Sequence, residues 1–250
     1  MAGASVFDLA IRMGDNALIL AQRISAWCGH APVLEEDIAM ANVGLDLIGQ
    51  ARLWLSLAGE VEGKGRSADD LAFLRDARAF RSALLVEQPN GDYGATLMRQ
   101  FLFDAFHLPM LEGLKSSSDI RVAAIAEKAA KEARYHLERS ADLVISLGDG
   151  TAESRARMQA ALVALYPFAL ELSSPDATDQ ALAEAGLAPR LDAVGERHRA
   201  TIASVARDAT LEIPSAAMRA GGKSGLHSEQ FGFLLAEMQF LQRAYPGAQW

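Results

Sequence analysis

The chain has 250 residues, half of them apolar, which is enough for one large folded domain with a sizeable core. Its net charge of −8 and the lack of any basic run disfavour a nucleic acid or an anionic membrane as partner. A single cysteine, Cys28, excludes an internal disulfide. Together with an N-terminus of no signal-peptide character and no apolar run near the roughly 18 residues of a membrane span, it makes the cytoplasm the expected location.

Apolar residues recur at spacings of three and four almost everywhere, and alternating β-branched runs are absent, so the chain reads as all-α. A first helix spans about Ser5 to Trp27, with Phe7, Ile11, Leu18, Ala21 and Ile24 expected inside. Gly29 and Pro32 end it and start a second, about Val33 to Gly59, with Ile38, Val43, Leu47, Leu53 and Leu57 inside. Glu62 to Ser67 is an exposed loop, and Ser67 with Asp70 makes a capping box for a shorter helix. Pro89-Asn90-Gly91-Asp92 is a tight turn. A third long helix runs from about Asp92 to Lys115, and a fourth from about Asp119 to Leu147, closing at Gly148-Asp149-Gly150. Two long hairpins joined by one longer connection fit a ferritin-like antiparallel four-helix bundle over about residues 5–147. Further helices, about Thr151 to Leu172, near Gln180, about Pro189 to Leu211 and Ser228 to Tyr245, are expected to pack around it over about 151–245, with no composition shift marking a second domain over 1–250.

The stretch Lys128 to Leu137 raises the main chemical question, because Glu132 and His136 are four apart and share a helix face. A di-iron site in such a bundle needs four carboxylates and two histidines, with two of the carboxylates followed three residues later by His. Of the five histidines only His107 has such a carboxylate, Asp104; Ala133 stands three before His136, and Gly49 stands three after Asp46. The first helix offers Asp15, a methylene shorter than Glu. A two-metal site is therefore not expected. Asp15, Asp46, Asp104, His107, Glu132 and His136 are instead read as a degenerate site, a polar core layer held by cations such as Lys128, Lys131, Arg134 or Arg52, with full solvation of Lys128 and Lys131 an equal alternative.

Gly222-Lys223-Ser224 resembles the end of a phosphate loop, but Ala217 stands where the earlier glycine belongs and no strand precedes it, so a flexible connection is expected. Cys28, beside Trp27, reads as a packing residue. On the last helix Phe231, Leu234, Leu235, Met238, Leu241 and Tyr245 share a stripe about 120° wide, with Phe233 and Phe240 opposite. That pair is the candidate partner interface.

Several segments together resemble one family. They are Arg12-Met13-Gly14-Asp15-Asn16, Trp27 to Pro32, Ala41-Asn42 to Arg52, Leu85 to Gly91, Lys131 to Leu137, Gly221-Gly222-Lys223, Gly225-Leu226-His227 and the tail from Ala236 to Trp250. The chain is similar to the C subunits of bacterial ring 1,2-phenylacetyl-CoA epoxidase, a multicomponent monooxygenase of phenylacetate breakdown. The resemblance implies a ferritin-like fold and a structural, non-catalytic role without metal or cofactor. Its implied partners are a catalytic di-iron A subunit, a small B subunit and, indirectly, a reductase using NADPH, flavin and an iron–sulfur centre. A homodimer of the isolated chain is a further expectation. Two other readings stay open: a stand-alone carboxylate-bridged metal oxidase with an Asp-rich site, and a helical acyl-CoA-binding module.

Overall fold

Capping residues decide where the helices begin. In the computed structural model, which describes residues 5–248, Ser5 opens α1 (Val6–Ser25) by donating its amide and hydroxyl to Asp8 Oδ2, at 2.8 and 2.9 Å. The tail residues 249–250 of the family resemblance and the first four residues lie outside the described ones. α2 (Leu34–Glu62) ends at Gly63, which takes the left-handed conformation (φ 68) that a C-terminal cap requires. α3 (Ala68–Phe73) has the capping box expected of Ser67 and Asp70: the Ser67 amide donates to Asp70 Oδ2 at 2.8 Å, and the Asp70 amide donates to Ser67 Oγ at 3.1 Å. α4 (Leu84–Glu87) is a single buried turn that periodicity could not show. Asp92 and Asp119 cap α5 (Tyr93–Leu114) and α6 (Ile120–Gly148). α7 (Ala152–Leu172), α8 (Ala177–Glu184), α9 (Leu191–Asp208) and α10 (Glu229–Ala244) complete the chain. No strand occurs among the described residues, and none of their helices is long and apolar enough to cross a membrane.

The chain divides into two compact units, residues 90–219 and residues 5–89 with 220–248. Residues 220–248 thus group with residues 5–89. In the 90–219 unit α5 is central, packed by α6, α7 and α9. Every residue of α5 from Thr96 to Leu111 is buried, and a helix apolar or internally bonded all round belongs in a core. In the other unit α1 and α2 form a hairpin, with α3 against α2, α4 against α1, and α10 on α3 and α4. Gly14 lets the hairpin close: a Cβ there would come within 2.8 Å of Leu55 Cδ2 and 3.3 Å of Trp54 Cβ.

Three expectations about burial are corrected. Ile38 is 53% exposed rather than inside, while Trp54 and Leu55 are the buried residues near Leu53. Cys28 is exposed, not a packing residue. The Gly221-Gly222-Lys223 segment is not a loose connection: Gly222 is buried in a 3-10 turn, Gly222–Ser224, against the backbone of residues 82–84. A Cβ on Gly222 would overlap the Ser82 carbonyl oxygen and stand 2.9 Å from the Leu84 nitrogen. Gly222→Ala is expected to cost about 1–3 kcal/mol by overpacking, read as a lower urea midpoint at unchanged m-value. Gly232→Ala is the control, since its Cβ would meet nothing within 4 Å, and it should leave the midpoint level or slightly raised.

Candidate functional site

Each unit holds a buried polar cluster, and each is built on a residue singled out by the ligand pattern. In the first, α1 carries Asp15 next to the close approach at Gly14, so the carboxylate is fully buried. Arg75, just beyond α3, meets it with both terminal nitrogens: Nη2 donates to Oδ1 and Nη1 donates to Oδ2 at 3.1 Å. The Arg81 amide donates to Oδ2 at 2.8 Å. Arg75 also donates to the carbonyls of Leu71 and, at 3.1 Å, Ala79, and its guanidinium lies 4.1 Å from the Phe80 ring centroid. Burial raises the Asp15 pKa above its ordinary value, against the opposing pull of Arg75. The next residue, Asn16, accepts from the Ala83 amide at 2.8 Å. One turn of α1 thus holds the irregular segment from Arg75 to Ala83.

A continuation of this cluster fixes the returning chain. Glu87 is buried, and its Oε2 lies 2.7 Å from His227 Nδ1 while its Oε1 accepts from the Ser228 amide at 2.6 Å. His227 Nε2 faces the Phe80 carbonyl at 3.3 Å, so both ring nitrogens lie against oxygen atoms of the fold. The His227 ring stacks on Phe231 at 4.0 Å, and Phe231 meets Phe80 edge-on at 5.4 Å. Arg23 adds two bonds to the Glu87 carbonyl, at 2.6 and 3.1 Å. Gln239 of α10 donates to the carbonyls of Ala72 and Arg75, at 3.1 and 3.0 Å. Segments that the family resemblance singled out for no evident reason, around Asp15, Glu87, Gly222 and His227, meet here.

The second cluster lies in the unit of α5 and α6. Asp104 is fully buried, accepting from Gln100 Nε2 at 2.6 Å and from Ser140 Oγ at 2.9 Å. Burial pushes its carboxyl up to about 6, with His136, Ser140 and Gln100 pulling the other way. His107 and His136 are both buried. The His107 ring stacks on Phe103 at 4.8 Å, and burial, then His136, push its pKa down to about 3. His198 of α9, not a candidate from the sequence, points Nε2 at the Leu102 carbonyl at 3.1 Å and Nδ1 at Ser173 Oγ at 3.3 Å. Burial pushes it down to about 4.

Of the six candidates, Asp104, His107 and His136 share one neighbourhood, while Glu132 and Asp46 are half-buried and Asp15 belongs to the other unit. Among the described residues no three His, Cys, Asp or Glu side chains come together in a way that could hold a metal. The donor set does not fit a di-iron centre, because Asp15 is engaged by a cation and Asp104 by neutral donors. Of the two readings of Lys128 and Lys131 the solvated one agrees with the structure, where both are exposed; the neutralising role expected of Arg52 and Arg134 is corrected, since Arg52 is exposed and Arg134, 56% exposed, bonds Glu112 at 2.5 Å. Arg75, Gln100, Ser140, Glu87 and His227 were missed. Arg75 stands 60 residues from Asp15, and no local spacing signals that pair.

On α10 Phe231, Leu234 and Leu235 are buried and Met238 is half-buried, but Leu241 and Tyr245, expected on the same stripe, are exposed. Phe233 and Phe240 are 65% and 61% exposed, on the opposite side as expected.

Long antiparallel helical hairpins with buried carboxylates on their inner faces define a protein of the ferritin-like helical class, here with those carboxylates bonded by protein groups. The chain belongs to the phenylacetic acid catabolic protein family, whose model matches residues 2–250. It is 49% identical over 241 residues to the C subunit of the 1,2-phenylacetyl-CoA epoxidase of Escherichia coli, covering 96% of this chain and 97% of that one.

Proposed function

We propose that this chain is the structural C subunit of a phenylacetyl-CoA epoxidase, in the cytoplasm, with no active site of its own. One observation carries the structural role: where a working bundle would aim carboxylates at metal, Asp15 is bonded by Arg75 and Asp104 by Gln100 and Ser140. A buried carboxylate deprived of metal needs such replacements, since an uncompensated buried charge costs several kcal/mol. The near full-length likeness to the Escherichia coli protein supports the assembly. In this reading the chain pairs with and supports a catalytic A subunit holding the di-iron centre, beside a small B subunit. A separate reductase supplies electrons from NADPH through flavin and an iron–sulfur centre. This chain binds none of these cofactors.

The test is metal content after iron loading without oxygen, together with co-expression of the catalytic subunit. Less than about a tenth of an equivalent of iron is expected, with a catalytic subunit that loses solubility and activity when this chain is omitted. One to two equivalents, abolished by Glu132→Ala, would make the chain a metal oxidase. A catalytic subunit fully active alone would remove the supporting role.

A further inference from the structure

The stretch from Lys131 to Leu137, which the family resemblance singles out, is only half explained by the buried cluster. His136 is buried, but Lys131 and Tyr135 stand in water, as does Lys128. At 100° per residue Lys128, Lys131 and Tyr135 lie within about 60° of arc on the outer face of α6, over two turns. Tyr135 is 55% exposed.

Neighbouring cations have partners within the chain. Arg121 pairs with Asp119 at 2.6 Å, Arg134 with Glu112 at 2.5 Å, and Lys115 with Glu112 at 3.1 Å. Lys128 and Lys131 are different, and neither is ion-paired among the described residues. The carboxylates four residues away along the helix do not serve them: Glu127 faces Lys115 at 3.9 Å, and Glu132 is half-buried. Two ammonium groups a turn apart repel each other, so the helix itself gains nothing from the pair. The basic patch is bounded, because the same face further along carries exposed Glu138 and Asp142.

Side chains standing out from a helix make a convex surface, whereas small-molecule sites are concave. A convex row of two lysines and a tyrosine suits a protein with an acidic face. Lysine is depleted in the cores of stable interfaces. Small, charged contacts steered by long-range attraction belong instead to transient encounters, electron transfer among them. Tyrosine adds a rigid apolar anchor with a polar tip. The chain as a whole, at net −8, repels an acidic protein, so a local basic patch decides where such a partner lands. We propose that Lys128, Lys131 and Tyr135 dock an acidic face of the transient partner of the assembly, the electron-delivering reductase. The inference rests on the role proposed above. In that reading the catalytic and small subunits are held in the assembly, and only the reductase is separate.

The test uses the complex of this chain with the catalytic and small subunits, and follows epoxidation at varied reductase concentration. In Lys128→Glu/Lys131→Glu the KM for the reductase is expected to rise at least about ten-fold at low salt, with kcat at saturating reductase unchanged. Salt should raise the wild-type KM and should not raise that of the variant. Lys128→Arg/Lys131→Arg should keep wild-type values, since the contact reads charge, and Tyr135→Ala should raise KM without altering its salt dependence. Helicity and co-purification with the catalytic subunit should be unchanged throughout, since all three side chains are exposed. A reductase KM unmoved by the charge reversal overturns the inference while leaving the assembly intact. So does a charge-reversed chain that no longer co-purifies with the catalytic subunit, which would assign the lysines to that contact. A wild-type chain that fails to assemble with the catalytic subunit would sink the role proposed above, and this docking site with it.

Discussion

Arg75→Ala is expected to cost about 3–5 kcal/mol, the figure for stranding one charge of a buried pair. Asp15 would keep only the Arg81 amide among the donors described above, at a position with no solvent exposure. The loss should appear as a lower urea midpoint, with helicity retained under native conditions. Its pH dependence has a definite sign. Burial raises the folded-state pKa of Asp15, so its contribution to stability is greatest below the unfolded value and falls as pH rises through the folded one. Removing Arg75 raises that pKa further, so the variant should suffer more at pH 8 than at pH 4. Replacing both partners, Asp15→Leu with Arg75→Met, should recover most of the loss, since an apolar pair of similar volume leaves no stranded charge. A loss below about 1 kcal/mol for Arg75→Ala would mean that water reaches Asp15 and that the pair does not hold the 75–83 segment.

Acid is expected to destabilise the 90–219 unit through its buried imidazoles. His107 and His198 have folded pKa values near 3 and 4, below the ordinary 6.5, so the unfolded chain binds their protons first. Their stabilisation is full above pH 6.5 and is lost as pH falls, each by about 3 kcal/mol between pH 7 and pH 4. Asp104 acts in the opposite sense: its pKa is raised from 3.8 to about 6, so its ionisation lowers stability as pH rises through that range. Over pH 4 to 6 the two imidazoles outweigh one carboxyl, leaving a net loss of order one proton's worth, about 1.4 kcal/mol per pH unit. His107→Gln should flatten the acid limb, and Asp104→Asn should steepen it, in urea titrations from pH 4 to 7. An acid limb unchanged by His107→Gln would show that the imidazole is not held neutral at that site.

These two clusters bear on the proposed role. A protein that supports a catalytic relative needs a rigid frame, and both clusters tie distant segments together with bonds that water cannot replace. Asp15 and Asn16 hold the 75–83 segment, and Glu87 holds the return at His227 and Ser228.

The sequence by itself determined the helices, because 3.6-residue periodicity and capping are local properties. The expected starts at Ser67, Asp92 and Asp119 rest on side chains that bond the amides two or three residues ahead. It also determined that a second carboxylate–histidine pair is missing, which is a matter of spacing along one helix. What it could not determine is which groups the buried carboxylates meet. Arg75 reaches Asp15 across 60 residues, and His227 reaches Glu87 across 140, through connections without periodicity. Nor could it choose the face of α2. That helix is apolar on more than one side, so periodicity puts Ile38 inside with Val43 and Leu47, and tertiary packing instead leaves it in water in line with Leu34 and Leu45. Periodicity measures how apolar residues are arranged around one axis. Which of two apolar faces is buried, and which cation meets a buried carboxylate, depends on where other segments lie, and only the folded chain brings them there.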